Sequence, residues 1–392
     1  MSGRPAERLD SVRRRQHSLR EHIADQIRRN GPLPFSRYME LCLYEPELGY
    51  YSRTHEQFGK AGDFYTSSDI HAVFGRLLAR QFEEIWRLLD SPKRIDVIEL
   101  GPGRGLFARD VLDWSAAKFP AFSGGLKYGL VEQSRHLRAR LEDRLAEHIS
   151  AGRARVVDSL ESAASNSGEN MILFTNEFFD ALPVEVIDYR GAVRVAVENG
   201  RLVENFVSPS SAEAEFLDRY SVHPTEGERV EVSLLALEWV ERIARAFASK
   251  RGFVILIDYG YTREEQLAGR HRDTLMTYRQ HTASPCPYEA PGEQDITAHV
   301  NFTALRDHGM RCGLDSLALV TQSQFLMGIA EETQFADAFA ECRLPQERAK
   351  VALQLKHLIT PMGMGETFQV LVMSRDLLPE TAARLSALKL AR

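Results

Sequence analysis

The chain has few of the residues that build metal or disulfide sites. Its four cysteines, Cys42, Cys286, Cys312 and Cys342, are far apart, and no two form a C-x-x-C pair. That spacing argues against a cysteine zinc site and a disulfide framework. Twelve histidines are scattered with no H-E-x-x-H, so no metal is expected. No apolar run reaches the ~18 residues that cross a bilayer, so membrane insertion is not expected. Positive charge is not in excess either. The formal net charge is −6, which argues against general nucleic-acid binding. Internal repeats and low-complexity tracts are also missing. The first 30 residues lack the apolar core of a secretory signal. They are rich in arginine but broken by Glu7, Asp10, Glu21 and Asp25, unlike a transit peptide. A cytoplasmic protein is the expectation.

What is present reads as an alternating α/β chain. Across 392 residues, 44% are hydrophobic and 27% charged, enough for a large core or for more than one domain. Apolar spacing predicts helices over 9–30, 36–43 and 70–89. Strands follow at 95–100, 126–132, 153–157 and 170–175, with helices over about 106–117 and 134–148 between them. Strands alternating with helices predict a doubly wound, mostly parallel sheet. Beyond Val184 the pattern changes. Strands at 193–197 and 201–207 flank Glu198-Asn199-Gly200, a hairpin signal; residues 208–211 read as a loop. A helix is expected over 233–248, a buried strand at 252–258, and a long turn-rich stretch over 259–302. Strands at 314–321 and 367–374 enclose helices at about 323–341 and 345–359. The resulting division is an N-terminal helical extension and cofactor-covering loop (1–70), then a catalytic core (71–392). The core carries substrate-side insertions at about 190–230 and 260–302.

The most informative stretch is Glu99-Leu100-Gly101-Pro102-Gly103-Arg104-Gly105-Leu106. It closes an apolar run and opens a helix. Glycines there let the backbone turn sharply and let a ligand approach it, beside the free N–H groups of a helix start. A dinucleotide fingerprint needs its third glycine three residues after the second, and that position is Leu106. The E-x-G-x-G-x-G pattern instead resembles motif I of class I S-adenosylmethionine (SAM) methyltransferases. A plain glycine-rich turn without ligand is the alternative.

Other candidates follow from position along the sheet. Glu132 ends the next strand, where a carboxylate can accept both ribose hydroxyls. Asp158 follows the third strand, as an adenine contact or a helix cap. Asn176-Glu177-Phe178-Phe179-Asp180 follows the fourth. Asn176 and Phe179 match the ends of the Asn/Asp-Pro-Pro-Tyr/Phe motif of amino-directed methyltransferases, while Glu177 and Phe178 replace its prolines. The acids Glu177 and Asp180 suit a cationic acceptor such as guanidinium, or else a helix start that favours acids. Asp258 and His299 stand where the fifth strand and the long stretch end, on the side that faces the cleft of such folds. Upstream, Asp63 is a candidate for the SAM ammonium, and Phe64 or Tyr65 for cation–π contact with the sulfonium, although the residues alone read slightly better as a turn with aromatic anchors.

Taken together, Tyr44-Glu45-Pro46, Gly49-Tyr50-Tyr51, Gly62-Asp63-Phe64-Tyr65-Thr66-Ser67, the glycine motif, Asn176 to Pro183, Asp258-Tyr259-Gly260 and Asp295 to Phe302 resemble the MidA family. Its eukaryotic members are mitochondrial protein-arginine methyltransferases that assist assembly of respiratory complex I. The resemblance covers roughly residues 20–375. It implies a Rossmann-like class I methyltransferase fold and SAM as methyl donor. It also implies a protein arginine acceptor, in a complex I subunit or its equivalent. Asp63, Phe64, Glu99, Gly101, Gly103, Gly105, Glu132, Asp158 and Asn176 would then hold the cofactor. Glu177, Asp180, Asn176, Asp258 and His299 would serve the acceptor, with Asp180 or Asp258 receiving its proton. A SAM-binding assembly factor without turnover is the principal alternative, and a nicotinamide-dependent oxidoreductase a lesser one. The oligomeric state is open.

Overall fold

The computed structural model describes residues 18–52, 72–279 and 282–391. The loop that holds Asp63 and Phe64 lies outside them. The described chain divides into two compact units.

The larger unit comprises residues 72–180, 236–268 and 299–391. Eight strands build its sheet among the described residues, the short strand Val300–Asn301 beside the seven main ones: β1 (Ile95–Leu100), β2 (Leu126–Val131), β3 (Ala154–Val157), β4 (Asn170–Asn176), β5 (Arg251–Tyr261), β6 (Asp315–Thr321) and β7 (Phe368–Arg375). They lie in the order β6-β7-β5-β4-β1-β2-β3. All run parallel from β5 through β3, and β7 is antiparallel to both β5 and β6. The apolar runs on β1, β4 and β5 have a simple cause. These central strands are covered on both faces, so no polar alternation is required. Helices Ala72–Leu88 and Leu106–Lys118 pack their apolar faces into the same core. At its centre Phe174 of β4 stacks on Phe107, with centroids 4.6 Å apart, and meets the edge of Phe82 at 5.7 Å. Phe174→Ala would leave a cavity among rings that cannot collapse, at a cost of about 3–5 kcal/mol. A urea titration should show the lower midpoint, and an unchanged midpoint would mean that this core repacks freely.

The strand order reverses between β1 and β4. Crevices in open α/β sheets form outside the carboxyl ends of the strands at such a reversal. Glu99, Gly101, Asn176 and Asp258 all sit at those ends.

The smaller unit comprises residues 18–52, 181–235 and 269–298. Gly191–Glu198 is the spine of its antiparallel sheet. It pairs with Leu33–Pro34, with Glu185–Asp188, and with Arg201–Val207; Arg229–Val232 adds to Glu185–Asp188. The hairpin turn uses Asn199 and Gly200 at φ 49° and 77°, the left-handed pair that an Asn-Gly turn supplies. A second sheet joins Met276–Arg279 to Thr282–Ser284 and Asp295–Thr297. Helices Leu19–Asn30 and Phe35–Tyr44 complete the unit's core. Ser18 and Glu21 form a reciprocal capping box at the start of the first, and Gly31 ends it; the earlier part of the predicted 9–30 helix lies outside the described residues.

Several sequence expectations need correction. Residues 181–235 and 269–298, which overlap the expected insertions, join residues 18–52 in the smaller unit. Strand β5 continues past Asp258 to Tyr261 because Val300–Asn301 pairs alongside it. The loop at 208–211 is brief. Ser210 caps a helix over Ser211–Tyr220 through a box with Glu213. The helix expected over 323–341 is broken, into Gln322–Ala330 and Ala336–Phe339, with Gln334 and Phe335 at positive φ. Among the described residues no helix is long and apolar enough to cross a membrane, and no group of His, Cys, Asp or Glu could hold a metal ion.

Candidate active site

The glycine turn begins where β1 ends. Gly101, Gly103 and Gly105 have φ values of 64°, 49° and 72°, a region that L side chains rarely adopt. Yet the three differ in what a side chain would meet. A Cβ on Gly101 would stand 2.9 Å from the Phe178 ring, and one on Gly105 would stand 2.7 Å from Leu141. A Cβ on Gly103 would meet nothing within 4 Å among the described residues. Two of the glycines thus allow close packing within the protein, and Gly103 alone borders open space. Gly105 caps the helix Leu106–Lys118.

Beneath the turn, Glu99 is buried and accepts a hydrogen bond from the Tyr128 hydroxyl at 2.9 Å. Burial pushes its carboxyl up to about 8, against the opposing pull of that hydroxyl. Tyr128 reaches it from β2, where it pairs in register with Val97. Sequence reasoning missed this partner, and its signal is only a polar aromatic inside an apolar strand.

Glu132 follows β2. Its Oε1 accepts the Ser134 N–H at 2.7 Å, and its backbone carbonyl accepts Arg138 at 2.9 Å. Burial pushes this carboxyl up to about 7, while the N–H groups of Ser134 and Gln133 and the charge of Arg138 pull it down. Asp158, after β3, is exposed and accepts a hydrogen bond from the Ser159 hydroxyl at 3.0 Å. The capping role considered for Asp158 belongs to Ser159, whose hydroxyl accepts from Ser162 N–H at the start of Leu160–Ser165.

Asn176 ends β4, and its Nδ2 donates to Glu177 Oε1 at 3.0 Å. That bond fixes the amide so that Oδ1 is buried with no hydrogen-bond partner among the described residues. Glu177 itself has φ 52°. Strain of this kind in a non-glycine residue persists only where its surroundings enforce it. Phe178 then lays its ring over Gly101 and meets Trp239 edge-on at 5.0 Å.

Asp258 lies across from this turn on β5 and is 1% exposed. Its Oδ2 accepts the N–H groups of Phe178, Phe179 and Asp180 at 3.2, 3.0 and 3.3 Å, and its Oδ1 accepts that of Tyr259 at 3.0 Å. Both oxygens are thus engaged by backbone. Burial and the charges of Asp180 and Glu177 push Asp258 well above the usual carboxylate range. Asp180 is buried too, and its Oδ2 accepts the Tyr259 hydroxyl at 2.6 Å. The Tyr259 ring meets His299 edge-on at 5.2 Å. His299 reaches it because Val300 pairs with Gly260, where a Cβ would strike the Val300 carbonyl. The structure therefore gathers Asn176, Glu177, Asp180, Asp258 and His299 around the ends of β4 and β5. Tyr259, which sequence reasoning passed over, joins Asp180 to His299.

The residues present suit SAM. Gly103 borders open space beside a helix start, and Glu99 and Glu132 are acceptors for ammonium or hydroxyl groups. Asn176 offers an acceptor atom without a hydrogen-bond partner among the described residues. A strand reversal, a glycine turn of this spacing, an acid near the end of β1 and acids after β2 and β4 define a methyltransferase of the SAM-dependent α/β class.

Comparison with known proteins agrees. Residues 77–320 match the family described as "Putative S-adenosyl-L-methionine-dependent methyltransferase", and the chain belongs to that family. It is 30% identical over 384 residues to the mitochondrial protein arginine methyltransferase NDUFAF7 of Danio rerio, covering 90% of this chain and 86% of that one. The human NDUFAF7 protein is 27% identical, over 88% and 81% of the two chains. A crystal structure from Burkholderia thailandensis, bound to S-adenosyl-homocysteine, is 29% identical. It superposes with a TM-score of 0.77 over 98% of both chains.

The Glu132 carboxylate gives a measurable signature. Hydroxyl groups donating to it would favour its ionised form and lower its pKa in the complex, so binding SAM releases a proton. The free carboxyl titrates near 7, so affinity should rise roughly tenfold between about pH 6 and about pH 8, then level off. Calorimetry across this range should show the rise in the wild type and a flatter profile in Glu132→Gln. At fixed neutral pH, Glu132→Ala should weaken SAM binding at least ~10-fold, each lost charge-assisted bond being worth about 1.5–3 kcal/mol. A folded variant with unchanged affinity would place Glu132 outside the site.

Proposed function

We propose that this protein transfers a methyl group from SAM to a guanidinium nitrogen of arginine in a protein. The observation that carries the reading is the set of acids around the ends of β4 and β5, beside the glycine turn. Bound SAM supplies an electrophilic methyl carbon on a sulfonium. The acceptor in this reading is a cation, and a carboxylate must enter the site with it to offset its desolvation. Glu177 fills that role. It is half-buried, and its Oε1 is oriented by the Asn176 amide. Asn176 Oδ1 and the half-buried Phe178 ring flank the approach. A new N–CH₃ bond forms as the S–CH₃ bond breaks, and one proton leaves the nitrogen. Asp180, buried in the turn after β4 and held by the Tyr259 hydroxyl, is the acid that takes it in this reading. For an in-line displacement of this kind, positioning and a preorganised field account for most of what the protein contributes.

The names of the relatives support arginine as the acceptor: NDUFAF7 proteins of several animals are called protein arginine methyltransferases. The test is a mass-spectrometric comparison of arginine methylation in cells with and without this protein. One or more arginine sites should lose methylation in its absence. Identical methylation in both would favour a SAM-binding factor without turnover.

A further inference from the structure

Asp258 faces the turn after β4 from the adjacent strand β5, where Ile257 pairs with Asn176. The turn would not hold its shape by local preference. Glu177 sits at φ 52°, a conformation that costs an ordinary side chain free energy and favours glycine. Two sets of bonds oppose that cost. The Glu177 N–H donates to the Ile257 carbonyl at 3.0 Å. The next three N–H groups, those of Phe178, Phe179 and Asp180, all donate to one oxygen of Asp258. Successive N–H groups converging on a carboxylate form an anion nest. Here the acceptor is a side chain of the protein, and the backbone N–H groups on its two oxygens favour its ionised form against the burial and neighbouring charges that oppose it. The other oxygen takes the Tyr259 N–H, so the carboxylate is fixed from its own strand as well.

We infer that Asp258 is a positioning residue. Its carboxylate clamps the 177–180 turn, holds Glu177 in the left-handed conformation and so aims the Glu177 side chain at the acceptor nitrogen. This role rests on the proposed arginine chemistry for its final step, but not for the clamp itself. It also differs from the expectation that Asp258 takes the proton, because an acid that moves protons during turnover would have to release the backbone groups it holds.

The clamp and its consequence can be tested separately. In the wild type, hydrogen exchange should show the amides of Phe178, Phe179 and Asp180 protected like those of β4 and β5. Exchange at the rate of an open loop would overturn the inference. In Asp258→Asn one oxygen becomes a donor, and exchange at these three amides should rise at least ~10-fold while β4 stays protected. Unchanged exchange would overturn it too. The catalytic step is read by a double-mutant cycle at saturating SAM. Asp258→Asn should lower kcat at least ~10-fold in the wild type but less than about twofold in a Glu177→Gln background, because both changes remove one function. Losses that multiply would show that Asp258 acts independently of Glu177, as a proton acceptor would, and would overturn the positioning role. Full turnover in Glu177→Gln alone would overturn the arginine reading for Glu177, and the catalytic half of this inference with it, while the exchange data still report on the clamp. If Asp258→Asn does not fold, the wild-type exchange measurement and Asp258→Ser, which keeps one short acceptor, decide the question.

Discussion

Replacing Glu177 by glutamine should lower methyl transfer ~100-fold or more and leave SAM affinity near that of the wild type. The substitution is chosen on the geometry. Glutamine has the same shape, and its carbonyl can still accept the Asn176 Nδ2 that now donates to Glu177 Oε1 at 3.0 Å. Only the charge is lost. An arginine side chain keeps its proton up to a pKa above about 12, so it enters a closed site as a cation. Without an anion there, its desolvation is not offset. The measurement is paired: calorimetry for SAM, and labelled methyl transfer to the protein acceptor. Unaffected turnover would make Glu177 a residue of the turn and nothing more. A collapse of SAM affinity would assign it to the cofactor, leaving Asp180 as the acid that faces the acceptor.

Gly103→Val should abolish SAM binding while the protein stays folded. The other two glycines of the turn are poor tests, since a side chain at either would strike Phe178 or Leu141 and disturb the core. At Gly103 a side chain would stand in open space. Its effects would be the strain of φ 49° in a β-branched residue, about 1–2 kcal/mol for the left-handed conformation, and occupation of the space left for the ligand. Calorimetry with SAM and with S-adenosylhomocysteine should show binding to the wild type and none to the variant, and NAD should bind neither. NAD binding in place of SAM would refute the cofactor assignment. Retained SAM affinity in the variant would move the ligand away from Gly103.

The larger unit was legible in the sequence because its central strands carry long apolar runs with few polar breaks. Ile95–Leu100 and Pro345–Ile359 have the predicted limits, and the reversal at β1 carries the glycine spacing. The smaller unit was harder to read. Its sheet joins Leu33 to Val195 and Glu185 to Val232, pairings between distant segments that local periodicity cannot announce. Its strands also bury acids. Glu185 is bonded by Ser36 and Arg194, and Glu231 by the N–H and hydroxyl of Thr274 at 3.0 and 2.8 Å. Acids so placed break the alternation that marks a strand, and their partners are remote in sequence. Burial brings its own shift: Glu231 is pushed up to about 7, against the bonds from Thr274. Within the candidate site, the acids stood out by type and position. Their partners, Tyr128 and Tyr259, did not, because a tyrosine in an apolar strand looks like core until the carboxylate beside it is seen.

The place of β7 sets an order of events during synthesis. Residues 368–375 lie between β5 and β6 and pair with both, from Gly252 opposite Arg375 to Thr321 opposite Gln369. They leave the ribosome after both of their neighbours in the sheet. Until they do, β5 presents a bare edge along the apolar run Phe253 to Ile257, and β6 presents another. Unpaired edges of this kind recruit strands from other chains. The nascent protein therefore carries two unpaired apolar edges until residues 368–375 have been made. A pause or a stop codon shortly before residue 368 would trap the chain in that state, with the ends of β4 and β5 formed but the sheet unsealed.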